Sequence, residues 1–156
     1  MIKLKVLYLI SLMTAILISC SMSDEEILFK AKSEFNGGDF DESIKTLNSL
    51  KEKMPGNFEV YYLLGKNFKS KKLYDSAIAL FSKSIELRPD FLSHYYERAK
   101  VYQTIGLVDE AIKDYTIAIS HYPKEADLYY ERGLIYYEKN MMDNACEDWK
   151  LSKSFG

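Results

Sequence analysis

The chain has 156 residues, 47% hydrophobic and 28% charged, a folding composition with room for one domain or one short repeat array. Lys and Arg number 21 against 23 Asp and Glu, so the formal charge of -2 offers no basic excess for nucleic acid. Two Cys exclude a disulfide scaffold and a four-cysteine zinc site, and seven Gly with three Pro exclude collagen-like or linker-dominated chains.

Lys3 and Lys5 open the chain, and Val6 to Ile18 is a 13-residue apolar run softened only by Ser11 and Thr14. A basic start followed by a short apolar run reads as a secretory signal. The run is short for a membrane span, which needs about 20 apolar residues. Leu17-Ile18-Ser19-Cys20 then resembles the lipobox of bacterial lipoproteins. That resemblance implies cleavage before Cys20, lipidation of Cys20 and a place in the bacterial cell envelope. The alternative is an uncleaved signal anchor with an incidental Cys. By the same resemblance, Ser21 after the lipidated Cys is compatible with the periplasmic face of the outer membrane. The expected organisation is a signal peptide at 1–19, the lipidated Cys and a short tether at 20–23, and a folded domain at 24–156. Without Lys3 and Lys5 the mature chain holds 19 basic and 23 acidic residues, a charge of -4.

Ser23 with Glu26 reads as a capping box that opens the first helix, and Asn36-Gly37-Gly38-Asp39 has the chemistry of a helix–helix turn. From there a period of 34 governs the chain. Pro55, Pro89 and Pro123 keep it, as do Ser43, Ala77, Ala111 and Ala145. So do Ala31, Gly65, Ala99 and Gly133, and so do Leu47, Phe81, Tyr115 and Trp149. Small residues let two helices approach closely, large neighbours fill the sides of the contact, and each Pro marks a helix exit. These columns resemble the tetratricopeptide repeat (TPR). The resemblance implies an all-α fold, a helical-hairpin solenoid of about four repeats coiled as a right-handed superhelix, in frames 24–57, 58–91, 92–125 and 126–156. The first frame is weakest, with Glu34 and Ser43 at the usual aromatic and Ala positions. The fourth is expected to stop within its second helix. There, Lys150 and Lys153 serve either as a polar cap or as neighbours of a dimer or partner contact.

No catalytic motif is present in the sequence: no phosphate loop, no nucleophile elbow, no His-Glu-x-x-His helix. His94 and His121 have no nucleophile partner and read as structural, Cys146 as a small buried residue, and Glu147-Asp148 as a solvated face. The chain is therefore expected to be no enzyme, and to need no cofactor or metal.

The aromatics at the packing columns are core. The second tyrosine of each pair is different, because Tyr62, Tyr96 and Tyr130 lie about 100° further round the helix. In the family that position faces the concave groove. The expected partner-binding groove is Leu28, Tyr62, Tyr96 and Tyr130; then Lys32, Lys66, Lys100 and Leu134 four residues on; then Phe35, Lys69, Gln103 and Tyr137. Tyr offers flat contact area at low entropic cost, and the lysines are expected to favour acidic groups. Glu97, Glu131, Asp127 and Glu138 make the last part more acidic. Alternatively the lysines are merely solvated and the tyrosines brace adjacent helices. The two-carboxylate clamp of the chaperone-tail subclass is not matched, since its positions hold Leu28, Lys32, Leu63, Ser93 and Glu97. The expected function is a membrane-anchored module that binds a protein or peptide as adaptor, scaffold or assembly factor. The alternative is a homo-oligomer associating through the C-terminal helix.

Overall fold

The computed structural model describes residues 22–156, which form eight helices. The signal peptide and Cys20 lie outside the described residues. The helices are α1 (Asp24–Gly37), α2 (Phe40–Lys53), α3 (Phe58–Ser70), α4 (Tyr74–Leu87), α5 (Leu92–Thr104), α6 (Val108–His121), α7 (Ala126–Glu138) and α8 (Met142–Phe155). Each pair is an antiparallel hairpin, and each hairpin packs on the next. Among the described residues no helix is long and apolar enough to cross a membrane.

Local chemistry sets the helix ends. Ser23 Oγ accepts from the Glu26 amide at 3.2 Å, and the Glu26 carboxylate accepts from the Ser23 amide at 2.7 Å, which completes the capping box. The turn inside each hairpin is one recurring device. Gly38, Lys72, Gly106 and Asn140, each 34 apart, all hold positive φ, between 58° and 86°. The next amide then bonds back to the fifth-preceding carbonyl, as Asp39 does to Glu34 at 2.9 Å and Met141 to Tyr136 at 2.8 Å. This left-handed cap satisfies carbonyls that the ending helix leaves open.

Between hairpins, Tyr61 Oη donates to the Pro55 carbonyl at 3.1 Å and Tyr129 Oη to the Pro123 carbonyl at 2.9 Å. The core runs along the seam of the repeats. Ala31, Leu47, Leu50, Val60, Leu63 and Leu64 join repeats one and two. Tyr95, Ala99, Ala111, Tyr115, Ala118, Leu128 and Ile135 join repeats three and four. Ser43, the polar departure in the first repeat, is fully buried. It donates to the Ala31 carbonyl at 2.9 Å and accepts from Asn67 Nδ2 at 3.0 Å.

The small column is matched to its partner in size. A Cβ on Gly65 would sit 2.7 Å from the Phe81 ring, and one on Gly133 would sit 2.6 Å from Trp149 Nε1. Gly65→Ala is expected to destabilise by about 1–2 kcal/mol, because overpacking outweighs the gain in helix propensity. Gly65→Ala with Phe81→Leu copies the Ala31–Leu47 pair of the first repeat. It should recover part of the stability lost by Phe81→Leu alone. Urea denaturation of the three variants checks this, and a double variant no better than Phe81→Leu would refute it.

Three expectations change. The fourth repeat does not stop short: α8 has 14 residues, as do α2, α4 and α6. Cys146 is exposed, since the buried position on that turn belongs to Ala145. Asp148 is not solvated but 3% exposed, held by Arg132 in two bonds of 2.8 Å. The same device recurs one repeat earlier. Arg98 grips Asp114 at 2.8 and 2.7 Å and also donates to Ser82 Oγ at 2.7 Å. Arg98 and Arg132 are 34 apart, as are Asp114 and Asp148, so this column was readable in the sequence.

Candidate partner-binding groove

The first helices of successive repeats touch one another, α1 with α3 and α3 with α5. No two second helices among the described residues approach to that extent. The row α1, α3, α5, α7 is therefore the inner face of the stack, and it carries the predicted groove residues at equivalent turns.

Their environments differ along the row. Tyr130 and Tyr137 are 51% and 52% exposed. Leu28, Tyr62, Tyr96, Gln103 and Leu134 are half-buried. Tyr62 meets Phe91 edge-on at 5.8 Å and lies 6.0 Å from Phe81 and 5.3 Å from His94. Burial, with the charge of Glu97, pushes its phenol up to about 12. Tyr96 stands edge-on to Tyr115 at 6.0 Å and donates to Glu131 at 3.3 Å. Burial and the Glu131 charge push it up to about 12 as well. Tyr62 and Tyr96 thus brace neighbouring repeats, and one edge of each is left to the groove.

Three lysines of this face are engaged in ion pairs within the chain. Lys32 pairs with Glu59 at 2.6 Å, Lys69 with Glu97, and Lys100 with Glu131 at 2.8 Å. Each lysine reaches a carboxylate of the following repeat, because stacking brings residues about 30 apart face to face. Lys66 is the exception. It lies over the Phe35 ring at 4.7 Å and the Tyr62 ring at 5.8 Å, and forms no ion pair among the described residues.

His94 is structural, as expected. It is fully buried, with Nε2 3.2 Å from Ser84 Oγ. Ser84 gives its own proton to the Phe58 carbonyl at 2.6 Å, so His94 must donate from Nε2. Its Nδ1 has no hydrogen-bond partner, and the ring packs among those of Phe58, Tyr62 and Phe91. Burial drives its pKa down to about 4.

Sequence reading missed a recess on this face. It has a volume of about 200 Å³ between α3, α5 and α7, and its lining includes Tyr62, Leu92, Tyr96, Glu125, Asp127 and Leu128. Leu92 and Leu128 both lie in the first turn of their helices but are 36 residues apart, off the 34-residue period, so no repeat column in the sequence pointed to the recess. Among the described residues no group of His, Cys, Asp and Glu could hold a metal ion.

Two family models, both described as tetratricopeptide repeat, match residues 58–91 and 96–149. The chain is a tetratricopeptide-repeat protein. Solved structures agree on the architecture. A crystal structure of MamA has TM-score 0.81 and 26% identity, over 90% of this chain and 82% of that one. Another of MamA protein has TM-score 0.77 and 27% identity, over 83% and 71% of the two chains. MamA 41-end from Desulfovibrio magneticus RS-1 is 17% identical, with TM-score 0.77 over 85% and 75%, and shows the fold alone. No curated protein matches the sequence. As a TPR chain, the molecule is a protein–protein interaction module.

Proposed function

We propose that this TPR chain is a lipid-anchored adaptor, scaffold or assembly factor of a bacterial envelope, on the periplasmic face of the outer membrane. It binds a peptide or protein surface along its inner face. The observation that carries the reading is that this face keeps Tyr130 and Tyr137 half exposed and adds an apolar-floored recess beside Tyr62 and Tyr96. Exposed tyrosines beside a concave recess suit anchoring contacts. The anchor rests on the motif at Cys20, and the reading assigns no catalytic residue.

The homo-oligomer reading has less support. In the interior repeats, Ile78 and Ile112, and likewise Ile85 and Ile119, pack against the neighbouring core clusters. At the matching positions α8 carries Cys146 and Lys153, so its outer face resembles a terminal cap.

The test is photocrosslinking in cells with a photoreactive residue at Tyr130, in wild-type and Cys20→Ser backgrounds. A discrete adduct with another protein is expected, and Cys20→Ser should abolish metabolic labelling of the chain with radioactive palmitate and leave the uncleaved precursor. Adducts only with itself would favour the oligomer. No adduct despite normal membrane fractionation would refute the groove, and a wild-type chain that takes up no palmitate label would refute the lipid anchor.

A further inference from the structure

The groove changes character between its halves. Toward α1 and α3 the spare charge is Lys66, laid over Phe35 and Tyr62. Toward α7 it is negative. Glu97 and Glu131 are already paired with lysines, but Glu125 and Asp127, at the start of α7, form no ion pair among the described residues. Both line the recess, whose walls include Tyr62 and Tyr96 and whose apolar side chains are Leu92 and Leu128. Its volume of about 200 Å³ admits one long side chain and no helix.

Glu125 and Asp127 are exposed whereas Leu128 is 1% exposed, so charge stands at the mouth of the recess beside buried apolar surface. An acidic guest side chain would be repelled there. A purely apolar one would leave Glu125 and Asp127 unpaired at the rim. A Lys or Arg has the matching form, an apolar stem that lies along Leu92, Leu128 and the tyrosine faces, and a charged head.

We propose that this recess seats one Lys or Arg side chain of an extended peptide, with its stem against Leu92 and Leu128 and its charge at Glu125 and Asp127. The proposal rests on the groove-binding reading above and names the chemistry of its partner.

The test is selection of random dodecapeptides displayed on phage by the full chain purified in detergent. The selected peptide is then titrated by fluorescence anisotropy. One Lys or Arg position should be enriched. Replacing that residue by Gln, or changing the protein to Glu125→Gln/Asp127→Asn, should each weaken binding about fivefold, and added salt should do likewise. Glu147→Gln, which removes an exposed carboxylate on the outer helix α8, should leave the affinity unchanged. Enrichment of acidic or only apolar residues, equal binding by the double variant, or no selected peptide would each overturn the proposal. Failure is separable from failure of the adaptor reading. If Glu125→Gln/Asp127→Asn binds the selected peptide as tightly as wild type while wild type still gives its adduct at Tyr130 in cells, the acidic pocket falls and the adaptor stands. If wild type gives no adduct, the adaptor reading falls.

Discussion

Arg98→Leu alone is expected to destabilise the protein by about 3–5 kcal/mol, because it leaves the Asp114 carboxylate buried without its partner. The side chains are 16% and 4% exposed, so water cannot replace the lost guanidinium. The melting temperature should fall by about 10 °C or more. Adding Asp114→Leu should reverse most of this. The matching positions one repeat earlier are Leu64 and Leu80, of which Leu64 is fully buried and Leu80 packs on the same core. The molecule therefore already contains the apolar version of this pair. A buried ion pair replaced by well-packed apolar residues often costs nothing. Ser82, relieved of Arg98, keeps its own bond to the Ile78 carbonyl at 2.7 Å. Thermal and urea melts of the two single variants and the double variant form the cycle. A double variant as unstable as Arg98→Leu would show that the pair supplies geometry that leucines do not.

The second large effect is a loss of stability in acid. His94 is held neutral in the folded protein, with burial driving its pKa to about 4, whereas an unfolded histidine titrates near 6.5. Between these values the unfolded chain binds a proton that the folded chain refuses. Linkage then favours the unfolded state as pH falls. This contribution is fully present above about pH 6.5 and is lost as pH drops toward 4. Its full size is about 3 kcal/mol. His94→Leu should cost stability at pH 7.5, since Ser84 Oγ loses the Nε2 donor, yet it should flatten the decline between pH 6.5 and 4.5. Urea midpoints across that range decide it. Parallel declines in wild type and variant would place the acid sensitivity elsewhere.

The all-α solenoid was legible because each repeat solves the same packing problem with the same residue sizes at the same spacing. The Ala31–Leu47 and Gly65–Phe81 pairs show this directly, and so do the capping box at Ser23 and the turn at Gly38. The left-handed column was half legible. Gly38 and Gly106 announce it, but Lys72 and Asn140 hold the same conformation, which depends on the hairpin around them. The shared helix face of Tyr62, Tyr96 and Tyr130 was legible from their spacing, and the expectation that it faces a groove came from the family resemblance. The ion pairs of that face were not legible, since Lys32, Lys69 and Lys100 meet carboxylates of the next repeat only once the hairpins stack.

The sequence by itself therefore determined the repeat, its length, the two helices of each hairpin and the core columns. All of these depend on residues related within one helix or by one fixed period. Only the tertiary structure decided which charges remain available. Lys32, Lys69 and Lys100 are consumed by Glu59, Glu97 and Glu131 across the repeat interface, and Asp148 is buried by Arg132 from the neighbouring helix. Charge pairing depends on distances of a few ångströms between elements about 30 residues apart. A linear pattern records which residues share a face, and the stacking of hairpins then sets which of them meet.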